Sequence, residues 1–162
     1  ISLGRFGLGA VFLAFAVWNL TYALIVFAVI FPVEKSEFFL YGSKQMALFA
    51  LSQRSNYDQI IIDPMRGTMS PNVRSVTQLY LLFYSQYDPA TYQSFYNTRG
   101  SDSFTFDKFT IRDIDWNSDQ NSKRTLLIGS PWDFKNSQLT DDQVKQQFNL
   151  LNGEKALVAV SP

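Results

Sequence analysis

The chain has 162 residues, 14 of them basic and 14 acidic, and it contains neither Cys nor His. Those absences exclude a disulfide framework, a thiolate nucleophile, a Ser-His-Asp triad and the usual zinc sites. Zero net charge without a basic run leaves no field to attract nucleic acid or to hold anionic lipid.

Residues 6–33 carry no charged side chain. As a helix this run would reach about 42 Å, against a bilayer hydrocarbon core of about 30 Å. A soluble domain has little use for a helix that is apolar all round. The run therefore predicts a transmembrane helix, with the lipid bilayer as its partner. A signal peptide fits poorly, because the run is too long and lacks a basic n-region. The chain opens on Ile1 rather than Met, which points to processing or to a fragment. Arg5 before the run and Lys35 after it balance, so flanking charge does not fix an orientation. Ala10 and Ala14 form a small-xxx-small pair, and Asn19 lies near mid-span. An Asn in hydrocarbon is costly unless a neighbouring helix offers a partner. The bland reading is a lone anchor that tolerates one Asn. The sharper and preferred reading is one helix of a bundle, packed through Ala10, Ala14 and Asn19 against transmembrane helices upstream in the same protein. Pro32 is expected to close the helix.

Residues 34–162 are enough for one domain with its own core. Their aromatics mark a packed domain rather than a tail, in a chain that is 16% aromatic overall. Residues 36–54 read as an amphipathic helix, with Ser43 as an N-cap and Met46, Phe49 and Ala50 on one face. The β-branched run 57–63, ending at Pro64, reads as a buried central strand. A Gly-containing loop over 65–71 follows at its C-terminal end, the edge that ligands favour in open α/β sheets. Residues 73–86 have helical spacing, although 79–84 could also pass for a strand. Asp88-Pro89 opens a short helix through Tyr92 and Phe95, and 100–103 is a turn. From Phe104 the period becomes two. Its phase slips at Asp107-Lys108, which calls for a bulge or a tight turn. Residues 113–121 form a polar loop, and 124–129 another apolar strand. Thr140 to Gln143 has the capping-box pattern, yet Asn152-Gly153 between two apolar runs is a hairpin signal. The hairpin is preferred, with at most one helical turn at 140–143. The sum is an α/β chain: one N-terminal transmembrane helix, then a small mixed α/β domain ending in a β-hairpin.

Asp113, Asp115 and Trp116 could handle a sugar, with acids for hydroxyls and an indole for a ring face. A solvated loop with one anchoring Trp is the commoner outcome. Trp132 and Asp133 invite the same reading and the same discount. Asp63, at the end of the central strand, is the best-placed lone acid. The dense group Tyr80, Phe83, Tyr84, Tyr87, Tyr92, Phe95 and Tyr96 could bind a lipid chain, but core packing is the more frequent role of such a stripe. No cofactor is evident, and no residue set suggests a metal.

The order of segments is more telling than any one of them. After the span come Tyr41-Gly42-Ser43-Lys44-Gln45-Met46-Ala47 and the strand at Tyr57. Then follow Phe83-Tyr84-Ser85-Gln86-Tyr87-Asp88-Pro89 with Tyr92-Gln93, Phe106 to Phe109, Ile114-Asp115-Trp116, Leu126 to Pro131 and the Asn-Gly hairpin. This order resembles the C-terminal end of bacterial multi-pass glycosyltransferases of the dolichyl-phosphate-mannose–protein mannosyltransferase and aminoarabinose-transferase type. The resemblance implies an enzyme of the cell membrane that moves a sugar from a polyprenyl-phosphate carrier to a glycan, lipid or protein acceptor. It implies that 6–33 is the last membrane helix and 34–162 an extracytoplasmic domain that caps the site or aids acceptor selection. The family's catalytic acid lies in the first extracytoplasmic loop, to which nothing here corresponds, so no catalytic residue is carried over. The alternative is a single-pass anchored binding or scaffold module without chemistry.

Overall fold

A computed structural model describes residues 2–66, 73–74, 76–96, 103–134 and 139–162. The expected loop over 65–71 and turn over 100–103 lie largely outside these residues.

The apolar run is helical. Helix α1 (Ser2–Ile25) continues through a π-helical turn (Val26–Ile30) into α2 (Phe31–Glu34) with helical dihedrals at both joints. Pro32 therefore does not close the helix, which runs on to Glu34. Proline lacks an N–H, and its ring crowds the carbonyl four residues back. The wider π turn just before it, in which the Phe31 N–H donates to Val26 O, makes room. Residues Gly7–Glu34 are long and apolar enough to cross a membrane, and among the described residues none of that apolar window is buried. Leu8, Phe12, Trp18 and Phe27 are each more than 70% exposed. Each such side chain gains roughly 1.5–3 kcal/mol on leaving water. A rod of them in water would outweigh a domain's whole stability of about 5–15 kcal/mol.

Residues 35–42 form hydrogen-bonded turns, not the first half of a long helix as the spacing predicts. Helix α3 is only Ser43–Ser52. Leu40 (φ 55°) and Gly42 (φ 90°) take left-handed conformations that no helix accommodates. Gly42, not Ser43, occupies the N-cap position, and Ser43 is the first helical residue, fully buried. Backbone hydrogen bonds brace the turn: Lys35 N–H to Phe31 O, Tyr41 N–H to Ser36 O, Ser43 N–H to Leu40 O and Met46 N–H to Gly42 O. A Cβ on Gly42 would stand 3.7 Å from Phe148 Cβ, so the turn rests on the far strand of the domain.

The domain is built on a six-stranded sheet: β1 (Gln59–Ile62), β4 (Phe104–Phe106), β5 (Phe109–Ile111), β6 (Thr125–Gly129), β7 (Val144–Asn149) and β8 (Lys155–Val160), in the order β4-β5-β1-β6-β8-β7. A two-stranded ribbon, β2 (Met65–Arg66) with β3 (Val73–Arg74), stands apart. Strand β1 is central and parallel to both neighbours, with Ile60 opposite Phe109 on one side and Leu126 on the other. Strands buried on both faces need unbroken apolar runs, which Ile60-Ile61-Ile62 and Leu126-Leu127-Ile128 supply. Alternate residues divide between two cores. Ile60, Ile62, Leu126 and Ile128 face α3 and helix α4 (Thr77–Tyr84), with Met46, Ala50 and Leu81. Ile61, Leu127, Val158 and Val160 face Phe134, Trp116 and Ile114.

The stretch 73–86 is helical only from Thr77 onward, as α4. The phase slip at Asp107-Lys108 is a tight turn between antiparallel β4 and β5, with Asp107 at φ 50°. Asp88 caps α5 (Pro89–Tyr96), accepting from the N–H groups of Ala90 and Thr91. Tyr87 and Tyr92 pack edge-on against Phe106 and Phe104, so part of the aromatic stripe is core. The polar loop after β5 contains a one-turn helix, α6 (Trp116–Asp119). Thr140 and Gln143 form half a capping box, the Gln143 side chain accepting from the Thr140 N–H, before the chain enters β7. Strands β7 and β8 are the expected C-terminal hairpin, with Gly153 at φ 88° in the connecting turn.

Candidate functional site at the C-terminal edge of the parallel strands

Strands β1, β5 and β6 are parallel, so their three following loops emerge at one edge of the sheet. Each loop brings an acid there: Asp63 directly after β1, Asp113 after β5 and Asp133 after β6. The acids feel one another. Asp63 and Asp113 both push the Asp133 pKa up, and Asp113 pushes that of Asp63 up.

Asp63 is 3% exposed. One carboxylate oxygen accepts from the Met65 N–H at 2.7 Å and the other from the Ile114 N–H at 2.9 Å, which pins the β5 loop to the end of β1. Burial raises its pKa, and the two backbone donors oppose that rise without cancelling it. Asp133 is the third residue of the 3-10 turn Pro131–Phe134 and reaches back to accept from the Ser130 N–H at 2.7 Å. This is the reciprocal half of a capping box. The Trp132 side chain also donates to it. Burial first, then the charge of Asp63, pushes its pKa up to about 7. The approach is so close that a Cβ at Gly129 would lie 2.5 Å from Asp133 Oδ2 and 2.8 Å from Ile114 Cδ1. The Ser130 hydroxyl donates to Met65 O at 3.2 Å and ties the β6 loop to the β1 loop.

Beside these acids, Arg112 forms a fork with Asp119, Nη2 to Oδ1 at 2.6 Å and Nη1 to Oδ2 at 2.9 Å. Nη1 also donates to Asp113 O. The Asp119 side chain is 7% exposed, and its hydrogen bond holds Arg112 firmly protonated.

Of the residues singled out in the sequence, Asp63, Asp113 and Asp133 come together at this edge. Asp115 and Trp116 are each engaged in local structure beside them. Asp115 caps α6, accepting from the Asn117 N–H at 3.2 Å and from the Ser118 hydroxyl. Trp116 sets its ring edge-on to Phe134, 5.6 Å between centroids, and fills the second core. On the apolar helix α1, Ala10 and Ala14 are exposed one turn apart, and Asn19 donates to Phe15 O at 2.8 Å in its own helix. The Arg112–Asp119 fork escaped sequence reasoning, because a spacing of seven in a polar loop carries no signal.

The arrangement offers a carboxylic acid that exchanges its proton near neutrality, which suits hydrogen bonding to a hydroxyl-bearing ligand or proton transfer. Among the described residues, no group of three or more acids is placed to hold a metal ion. Comparison of the chain with known protein families, curated proteins and solved structures finds no match.

Proposed function

We propose that this chain is the C-terminal segment of a membrane glycosyltransferase that moves a sugar from a polyprenyl-phosphate donor to an acceptor. Residues 6–33 are its last membrane helix in a multi-pass protein of the cell membrane. Residues 34–162 are an extracytoplasmic domain that caps the site or aids acceptor selection. The observation that supports this reading is a largely uncovered apolar rod, joined to a folded α/β domain by a turn held by several backbone hydrogen bonds. Such a joint holds the domain at the membrane surface rather than on a free leash. The segment order supports the same reading, since the Phe83 to Gln93 pattern forms the α4–α5 corner that locks the domain's aromatic core. The chemistry itself belongs to loops and helices before Ile1.

One observation favours the alternative of a single-pass anchored module. The Asn19 amide already donates within its own helix, so that donor needs no neighbouring helix. The reading frame upstream of Ile1 separates the two. The transferase reading expects many further apolar spans and an acidic loop soon after the first. A frame that begins within a few residues of Ile1 sinks it and leaves the anchored module.

A further inference from the structure

We infer that the α3–α4 side of the domain lies on the bilayer, with Phe38, Phe39 and Phe83 in the interfacial region of the membrane that α1 crosses. The inference rests on the membrane reading of α1 and adds a fixed posture for the domain.

The contact begins inside the span. The rings of Phe27 and Phe31 lie 6.5 Å apart on the last turns of the rod, and Phe31 meets the Phe39 ring at 5.9 Å. Phe39 therefore turns back to the depth of the span's end, although it follows Glu34 by five residues. Phe38 and Phe39 are 68% and 64% exposed, while Ser36 and Glu37 beside them are buried in the domain. The turn thus buries Ser36 and Glu37 and turns Phe38 and Phe39 outward, the reverse of a turn facing water.

The apolar surface continues on α4. Val76, Leu79 and Phe83, at 42%, 48% and 75% exposure, follow one face at helical spacing. Lys44, at the start of α3, stands 5.9 Å over the Tyr84 ring, and Tyr84 touches Phe83 at 5.2 Å. That brings Phe83 to the end of the domain where the juxtamembrane turn enters. Leu48, one turn along α3, is 46% exposed on the same side of the sheet. Two cations border the patch, Lys44 and, 5.8 Å over the Phe38 ring, Lys35. Aromatic rings at the span's end with long cationic side chains around them match the interfacial belt, where stems lie in the apolar zone and ammonium groups reach phosphates. A surface of this kind sits about 5–10 Å into the headgroup boundary.

The chain has no Cys, so single labels can be placed cleanly. The experiment puts nitroxide labels at Phe38→Cys, Phe39→Cys and Phe83→Cys in the whole chain, reconstituted in phospholipid nanodiscs. Collision rates with oxygen and with a water-soluble nickel chelate are then compared. Leu13→Cys reports on the span, and Asn117→Cys, on α6 across the sheet, reports on water. The expected result is preferential oxygen access at 38, 39 and 83, as at 13, with nickel access only at 117. Nickel access at 83, or at 38 and 39, overturns the inference. So does an immobilised label shielded from both agents, which would place protein rather than lipid over the patch. Nickel access at 13 would instead refute the membrane reading itself.

Discussion

Raising the pH from 5 to 8 will lower the stability of the domain, and Asp133 will account for most of the loss. The folded protein holds the Asp133 proton up to about pH 7, whereas the unfolded chain releases it near 3.8. Between those values the folded state binds more protons, so stability falls as pH rises and levels off above about 7. A shift from 3.8 to about 7 would be worth roughly 4 kcal/mol at about 1.4 kcal/mol per unit if the site were sealed. Asp133 keeps part of its surface in water, and screening there reduces the effect to about 1–2 kcal/mol. Asp63, also shifted upward by burial, acts in the same direction. The window is clean because the chain has no His or Cys to titrate in it. Urea unfolding of the reconstituted chain, followed by Trp fluorescence at half-unit steps, reads the slope directly. Asp133→Asn removes the titration. The variant sacrifices a hydrogen bond to Ser130 or Trp132, which offsets its stability at every pH but should flatten the slope. A wild-type domain that gains stability from pH 5 to 8, or a variant with an unchanged slope, would refute the reasoning.

Gly129→Ala should cost about 1–3 kcal/mol in the same unfolding assay, because the new methyl displaces Asp133 and Ile114, and it should flatten the pH slope as Asp133 moves into water. Arg112→Met should cost about 2 kcal/mol, at the lower end for a broken pair because Arg112 is one-third exposed, and adding Asp119→Asn should recover part of it. Gly42→Ala should destabilise by about 1–2 kcal/mol through its φ of 90° alone, since the space around it is adequate, and hydrogen exchange should rise first at residues 41–46.

The parts of the fold readable from sequence are those in which one local pattern decides. Unbroken apolar runs marked β1 and β6 because central parallel strands are buried on both faces. The rod was readable because residues 6–33 run on without one charged side chain. Strand β7 was legible only at Phe148, because it is an edge strand whose Lys145, Gln146 and Gln147 face water. The start of α3 was misplaced because the helical spacing of 36–54 survives a break at Leu40 and Gly42 that is purely a matter of backbone dihedrals. Asp63 was legible as a residue at a favoured edge, but its partnership was not. It depends on three loops, distant from one another in the sequence, meeting only once the sheet is assembled. Asp115 and Trp116 show the converse, a suggestive pair of which one caps a helix and the other packs on a core.

We propose above that this domain serves sugar transfer by a larger membrane enzyme. The most direct measurement compares the full-length protein with a version ending at Val33, both in liposomes with a polyprenyl-phosphate sugar and an acceptor. Donor binding, measured alongside, confirms that the shortened enzyme is intact. The account predicts that donor binding persists while kcat/KM for the acceptor falls by about tenfold or more, a loss of about 1.4 kcal/mol or more in transition-state stabilisation. Unchanged rate and acceptor choice in the shortened enzyme would contradict it.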